Sequence, residues 1–140
     1  MIRNATAADA AQVAALLGEL GYPTSETQAR ARIEKLQARD DYTVRVFAEG
    51  ERLLGVASLQ VHPGLETDDL LGFITALVVS EAARRRGVGR ALIDDLLAFA
   101  RARGCVRVNV GSGLHRADAH AFYEGIGFTR SGIRFRKTLT

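Results

Sequence analysis

The sequence predicts a single α/β domain with a mixed sheet, extending over residues 1–140. A chain of 140 residues is long enough to bury one substantial hydrophobic core. Segments with helical spacing of apolar residues alternate with β-branched, strand-like segments. In addition, the apolar segment from Leu70 to Val79 leads through a glycine- and arginine-rich loop into a helical pattern. Strands and helices that alternate in this way indicate an α/β architecture.

The first half of the chain predicts one strand, two helices and a β-hairpin. Thr6-x-x-Asp9 and Ser25-x-x-Gln28 are capping boxes, which mark helix starts, and Gly21 is placed to end the first helix. Glu49 to Arg52 is a hairpin turn between two strand-like segments. The predicted elements are a strand at Ile2–Asn4, helices from about residues 7 to 20 and 26 to 39, and strands at Thr43–Ala48 and Leu53–Val61.

The second half predicts a central strand, two helices and three further strands. An apolar stripe of Val88, Leu92, Leu96 and Phe99 indicates a helix that ends at Gly104. The predicted elements are strands at Leu70–Val79 and Cys105–Val110 (with Val106, Val108 and Val110 on one face), a helix at Ala117–Glu124, and short strands near Phe128 and at Arg134–Leu139.

Composition excludes several classes of protein. The chain is 47% hydrophobic and 25% charged, as in ordinary globular proteins, and no apolar run approaches the roughly 20 residues of a membrane span. The N-terminus lacks a signal-peptide core, so we expect a cytoplasmic protein without a membrane partner. A net charge of +3 is too small to indicate nucleic-acid binding. The single Cys105 and the scattered His62, His115 and His120 show no metal-ligand spacing, so we expect no metal.

The loop after the central strand has the chemistry of an anion site. Gly87 and Gly89 carry no Cβ, so their backbone can approach a ligand closely. The first N–H groups of the following helix have no internal partners and lie at the positive end of the helix dipole. Arg84, Arg85 and Arg86 add positive charge. The segment is therefore suited to a phosphate or pyrophosphate.

Two nucleotide-binding motifs fail on particular residues. A Walker motif needs Lys and Ser or Thr where Arg90 and Ala91 stand, and a dinucleotide fingerprint needs glycine at Leu92. The remaining pattern, Arg84-x-x-Gly87-x-Gly89, resembles motif A of the GNAT superfamily of N-acetyltransferases. A second segment, Ala119-x-x-Phe122-Tyr123-Glu124-x-x-Gly127-Phe128, is similar to another signature of that superfamily. Together with the order of the predicted elements, the resemblance extends over essentially the whole chain.

The resemblance implies a fold, a reaction and a set of site residues. The implied fold is a mixed, mostly antiparallel sheet flanked by helices in the order βααβββαβαββ. The implied reaction is direct acetyl transfer from acetyl-CoA to a primary amine, with Tyr123 stabilising or protonating the leaving thiolate. The implied coenzyme-binding residues are Leu77, Val78 and Val79 on the central strand, where the family has a bulge, and Arg84, Arg85, Arg86, Gly87, Val88, Gly89 and Arg90 in the loop.

Several points stay open at the level of sequence. The resemblance is to a branch without assigned substrates, so the acceptor amine is not identified. The general base could be Asp68, Asp69, Glu66, His62, His115, Thr75 or a water molecule, and His120 is interpreted as structural or close to the coenzyme. Arg116 stands where the family often has a capping asparagine, which leaves its contact with coenzyme undecided. A homodimer is possible, and the alternative function is a catalytically weak, coenzyme-binding sensor or partner domain.

Overall fold

The structure is a computed structural model that describes residues 1–112 and 117–140. The chain forms two compact units, Met1–Asn109 and Val110–Thr140. His115 and Arg116, both considered above for the active site, lie outside the described residues.

The first unit contains a five-stranded mixed sheet and three α-helices. The strands follow one another across the sheet in chain order, from β1 to β5. The elements are β1 (Ile2–Asn4), a 3₁₀ turn (Ala7–Asp9), α1 (Ala10–Leu20), α2 (Glu26–Gln37), β2 (Tyr42–Glu49), β3 (Arg52–Pro63), β4 (Leu70–Val79), a second 3₁₀ turn (Glu81–Ala83), α3 (Val88–Ala102) and β5 (Cys105–Val110, whose last residue begins the second unit).

The helix starts and ends confirm the predicted caps. The Asp9 carboxylate accepts the Thr6 N–H at 2.8 Å, and Gly21 ends α1 in the left-handed region with φ 101°. Ser25 and Gln28 exchange side-chain and backbone hydrogen bonds of 3.0 and 3.1 Å at the start of α2. These local patterns were visible in the sequence because each involves residues only three positions apart.

The sheet separates two layers of helix. β2 and β4 each pair antiparallel with β3, and β1 pairs antiparallel with β2. On one face, Val44, Val46, Val56 and Val78 pack with the buried sides of α1 and α2 in a single hydrophobic cluster. Side chains alternate along a strand, so the neighbouring residues face α3, whose Leu92, Ile93 and Leu96 are fully buried.

Gly55 on β3 lies where the first turns of α3 come closest to the sheet. A Cβ at this position would stand 2.9 Å from Leu92 Cδ1, 3.0 Å from the Val78 carbonyl oxygen and 3.2 Å from Val88 Cγ1. Such distances are shorter than van der Waals contact, so only glycine fits without displacement. Gly55 therefore sets the distance between the sheet and the N-terminal turns of α3.

Two packing predictions for the first unit need correction. Phe99 is only partly buried, and the guanidinium of Arg103 lies 5.5 Å from its ring centroid; Ala100 takes the buried position instead. Val106 is 62% exposed, whereas Val108 and Val110 are partly buried.

The second unit contains one helix, α4 (Ala117–Gly125), followed by a segment without regular secondary structure. The two short strands predicted near Phe128 and at Arg134–Leu139 are absent from the described residues, which corrects that detail of the predicted order. A strand needs a neighbour to satisfy its backbone groups, and residues 131–140 are exposed throughout. The alternation of Ile133 and Phe135 with arginines gave a strand-like pattern without revealing this exposure.

Candidate active site

The loop between β4 and α3 contains two residues with a left-handed backbone conformation. Gly87, the N-cap residue of α3, lies in the left-handed region with φ 79°, and no atom stands within 4 Å of where its Cβ would be. Arg85 also has a positive φ, 67°, and is the one such non-glycine residue in the described part of the chain. Backbone turns of this kind direct successive N–H groups toward one side, which favours an anion.

The arginines of this loop differ in their partners. Arg86 Nη2 donates to Glu49 Oε2 at 2.6 Å, so this guanidinium is held by the end of β2. Arg84, Arg85 and Arg90 are exposed and form no ion pair with any residue that the structure describes. Arg86 could not be distinguished from its neighbours before the fold was known, because Glu49 lies 37 residues away along the chain.

The three β4 residues expected to hold coenzyme lie beyond the bulge of that strand. Leu77, Val78 and Val79 pair in regular register with Ala57, Val56 and Gly55 of β3. The irregularity lies earlier, because Leu59 pairs with Ile74 and Ser58 with Ala76, which leaves Thr75 without an opposite residue. The bulge is thus centred on Thr75, and the expectation of a bulge at positions 77–79 needs this correction.

Thr75 is the centre of a chain of three hydroxyl groups that crosses three strands. Tyr42 Oη, on β2, donates to Thr75 Oγ1 at 2.6 Å, and Ser58 Oγ, on β3, lies 2.5 Å from the same oxygen. Ser58 is buried, whereas Thr75 is exposed. Thr75 was among the bases considered possible from the sequence, whereas Tyr42 and Ser58 were not recognised. A polar residue inside the apolar segment from Leu70 to Val79 was the available signal.

In the second unit, Tyr123 lies near the C-terminal end of α4 and is half-buried. Gly127 has φ 100°, which turns the chain back, and the Phe128 N–H donates to the Tyr123 carbonyl oxygen at 3.0 Å. The rings of Phe122 and Phe128 both meet the Tyr123 ring edge-on, with centroids 5.4 and 5.7 Å away. The two phenylalanines of this motif thus fix the position of the tyrosine ring.

An exposed ion pair stabilises the same turn after α4. Arg130 Nη2 donates to Glu124 Oε1 at 3.1 Å, and this contact lowers the pKa of the Glu124 carboxyl. Glu124 is adjacent to Tyr123 in the FYE segment. Its described partner is Arg130, so its role in this unit is to connect α4 with the segment that follows.

The possible bases occupy different surroundings. Glu66, Asp68 and Asp69 are exposed in the loop between β3 and β4, where the Thr67 hydroxyl donates to Asp69 at 2.9 Å. His62, on β3, has Nδ1 3.1 Å from the Pro63 carbonyl oxygen. Within residues 1–112 and 117–140, no group of three or more His, Cys, Asp or Glu side chains could hold a metal ion. The same residues contain no helix long and apolar enough to cross a bilayer.

A mixed α/β layer with a glycine- and arginine-rich turn at the N-terminus of a helix is an arrangement that many anion-binding proteins share. Residues 11–128 match the model of the acetyltransferase (GNAT) family. The chain therefore belongs to the GNAT acetyltransferase family, and it is an N-acetyltransferase by that membership.

Curated relatives and solved structures are similar over most of the chain. The chain is 33% identical to a glucosamine 6-phosphate N-acetyltransferase of Trypanosoma brucei brucei, over 70% of this chain and 67% of that protein. It is 29% identical to an aminoalkylphosphonate N-acetyltransferase of Salmonella typhimurium, over 99% and 90%. The crystal structure of a Trypanosoma brucei acetyltransferase superposes with a TM-score of 0.85 at 29% identity, covering 99% of each chain.

Proposed function

We propose that this protein transfers the acetyl group of acetyl-CoA directly to the primary amine of a small acceptor. The observation that supports this most is the turn before α3, with Gly87 at φ 79° and an open space where a side chain would stand. A pyrophosphate needs such a turn, because its oxygens must reach the backbone N–H groups of the first helical turn. Members of this family generally use acetyl-CoA, and the coenzyme A part of that molecule contains a pyrophosphate.

The coenzyme-binding role is assigned mainly to the loop. Val88, Gly89 and Arg90 form the first turn of α3, where backbone N–H groups have no partner within the helix. Arg84, Arg85 and Arg90 supply charge that no described acidic residue neutralises. Leu77, Val78 and Val79 would contribute through their backbone rather than through side chains, since all three side chains are apolar. Arg86 is proposed to act indirectly, by joining the loop to Glu49.

Tyr123 is proposed to stabilise the thiolate that leaves when the acetyl group is transferred. A thiol has a pKa of about 8.5 and a tyrosine hydroxyl one of about 10, so complete proton transfer to the thiolate is uphill. A hydrogen bond donated while the charge develops does not need complete transfer. The edge-on packing of Phe122 and Phe128 supports this role because it limits the orientations of the tyrosine ring.

The acceptor is proposed to be a small primary amine that carries a phosphate or phosphonate group. Two relatives at about 30% identity are named for such substrates, glucosamine 6-phosphate and aminoalkylphosphonates. The amine must lose a proton before attack, so a base or a water chain is needed. Candidates for that role are His62 at the end of β3, the carboxylates of Glu66, Asp68 and Asp69 in the loop between β3 and β4, His115 and a water molecule.

The test is a thiol-release assay with acetyl-CoA and a panel of amines, accompanied by mass analysis of the product. We expect N-acetylated product from 2-aminoethylphosphonate or glucosamine 6-phosphate and none from the hydroxyl analogues. Coenzyme A binding by calorimetry without acetylation of any amine would favour the alternative, a catalytically weak sensor or partner domain. Absence of both binding and turnover would exclude the proposal.

A further inference from the structure

The three-hydroxyl chain of Tyr42, Thr75 and Ser58 has a defined direction. Tyr42 Oη donates its only proton to Thr75 Oγ1, which uses one of the two acceptor positions of that oxygen. Ser58 is 6% exposed, and its hydroxyl has no hydrogen-bond partner other than Thr75 among the described side chains and backbone groups. A buried hydroxyl proton without an acceptor is unfavourable, so Ser58 also donates to Thr75.

This arrangement fixes the orientation of the Thr75 proton. With Tyr42 and Ser58 both donating, the two acceptor positions of Thr75 Oγ1 are filled. The remaining capacity of Thr75 is its own O–H, which must point away from both neighbours. Thr75 is exposed although it lies in the middle of β4, so this proton faces solvent. The result is a hydroxyl that can donate to a ligand and cannot accept from one.

The sheet face around Thr75 is suited to a polar ligand. On this face, α1 and α2 cover the side chains of Val44, Val46, Val56 and Val78. Farther along the same three strands, the side chains that follow these valines are polar, namely Tyr42, Ser58 and Thr75. The bulge at Thr75 makes this arrangement possible, because it rotates one extra residue out of the regular alternation. A protonated amine offers only protons, so in that form an acceptor molecule meets Thr75 through another of its atoms, such as an oxygen of a phosphate or phosphonate group.

We propose that Thr75 donates a hydrogen bond to a phosphate or phosphonate oxygen of the acceptor, with Tyr42 and Ser58 as positioning residues. This inference rests on the proposed function, because it assigns a specificity contact to the same acetyl transfer. No covalent bond to Thr75 forms or breaks during the reaction. Its effect is on acceptor binding, equal in the ground state and the transition state, and it should therefore appear in KM rather than kcat.

The experiment compares 2-aminoethylphosphonate with propylamine, which has the amine but no phosphonate, in wild-type protein and in Thr75→Val. We expect Thr75→Val to raise the KM for 2-aminoethylphosphonate by about 10-fold or more, since the lost bond is to a charged group. The KM for propylamine and the affinity for coenzyme A should not change. Thr75→Ser keeps the hydroxyl and should restore the wild-type KM, and Tyr42→Phe should give a smaller increase than Thr75→Val.

The matched control is Thr43→Val, the same substitution on β2 at a buried residue outside the hydroxyl chain, which should leave both KM values unchanged. An unchanged 2-aminoethylphosphonate KM in Thr75→Val, or a loss confined to kcat, would overturn the inference and leave the proposed transferase function intact. An equal loss in Thr75→Ser and Thr75→Val would also overturn it. If wild-type protein acetylates no amine, the proposed function fails and this inference fails with it.

Discussion

Phe128 packs edge-on against Tyr123, with ring centroids 5.7 Å apart and planes inclined by 67°, while its N–H donates to the Tyr123 carbonyl oxygen at 3.0 Å. One residue thus holds both the backbone and the ring of the tyrosine. Gly127 makes this possible, because its left-handed conformation reverses the chain directly after α4. The spacing of Phe122-Tyr123-Glu124-x-x-Gly127-Phe128 therefore has a structural reason within the second unit alone.

Removing the hydroxyl of Tyr123 should slow acetyl transfer while leaving the ring contacts in place. We expect Tyr123→Phe to lower kcat by roughly 10²- to 10⁴-fold, the usual effect of losing a positioned proton donor. The acceptor KM and the coenzyme affinity should change little. Steady-state and single-turnover kinetics give the measurement, and Tyr22→Phe, at a 64% exposed tyrosine, is the control. Wild-type kcat in Tyr123→Phe, with chemistry rate-limiting, would show that this tyrosine only packs.

A side chain in the first turn of α3 should block the pyrophosphate. We expect Gly89→Val to weaken coenzyme A binding by at least about 100-fold, because a branched side chain would occupy the space before the helix N–H groups. Gly89 is within α3 and has no positive φ, so this change tests ligand access with little backbone strain. Gly87→Val is a poorer test, since φ 79° strains any branched residue. Calorimetry showing unchanged affinity in a folded Gly89→Val protein would contradict the assignment.

The loop arginines should fall into two groups. Arg90→Ala should weaken coenzyme A binding and reduce its salt dependence, because Arg90 has no described ion-pair partner to compete with the phosphates. Arg86→Ala should have a smaller effect on affinity, and Glu49→Ala should resemble it, because both remove the same 2.6 Å contact. Titrations at two salt concentrations provide the comparison. Equal losses in Arg86→Ala and Arg90→Ala, with no change in Glu49→Ala, would disprove the grouping.

The rate of acetyl transfer should rise with pH. A free amine has a pKa of about 10.4, so the reactive neutral fraction increases about tenfold per pH unit between pH 6 and 9. We expect kcat/KM for an amine acceptor to follow this slope while chemistry is rate-limiting. The profile is best measured with 2-aminoethylphosphonate at saturating acetyl-CoA. A flat profile under these conditions would point to a hydroxyl acceptor.

The stability of the first unit should decrease at acid pH through Asp9. Two hydrogen bonds of 2.8 Å from Arg3 lower the pKa of the Asp9 carboxyl, whose side chain is only 7% exposed. Because the folded-state pKa lies below the unfolded value of about 3.9, this stabilisation is complete above pH 4 and is lost as pH falls further. We expect Asp9→Asn to lower the free energy of unfolding at pH 7 by about 1–3 kcal/mol.

Urea unfolding at pH 7 and pH 3 measures this effect. The difference in stability between wild-type and Asp9→Asn proteins should be smaller at pH 3 than at pH 7. Asp41→Asn removes a comparable but exposed contact with Arg39, and it should cost much less at pH 7 because solvent screens that pair. A constant difference between wild type and Asp9→Asn at both pH values would show that the carboxylate charge is not the cause.

Local rules predicted most of the first unit. β1, β4 and β5 have the predicted bounds, and both capping boxes lie at the predicted residues. Such features can be predicted because a capping box or a strand pattern depends on only a few consecutive residues. The bulge at Thr75 could not be predicted in this way, because its position depends on the register of β4 against β3 and not on either strand alone.

Contacts between distant segments explain the other omissions. Tyr42, Ser58 and Thr75 come from three strands, and the sequence separation between Tyr42 and Thr75 is 33 residues. Arg86 and Glu49 are likewise distant, so their ion pair could not be recognised before the fold was known. The terminal strands failed for the opposite reason. Their alternating pattern was present in the sequence, but alternation does not provide the neighbouring strand that pairing requires.

The close approach of α3 at Gly55 makes β3 a support for the proposed coenzyme-binding loop, although β3 contributes no residue to that loop. Leu92 and Val88 pack on Gly55, so β3 determines how closely the N-terminal turns of α3, and with them the turn from Arg84 to Gly89, lie against the sheet. The smallest set of elements that could be grafted into another protein with this geometry intact is therefore β3, β4 and α3 together. Grafting the loop and helix alone onto a strand with alanine or valine at the equivalent position would transfer the sequence motif without its geometry. A graft that includes the glycine strand would transfer both.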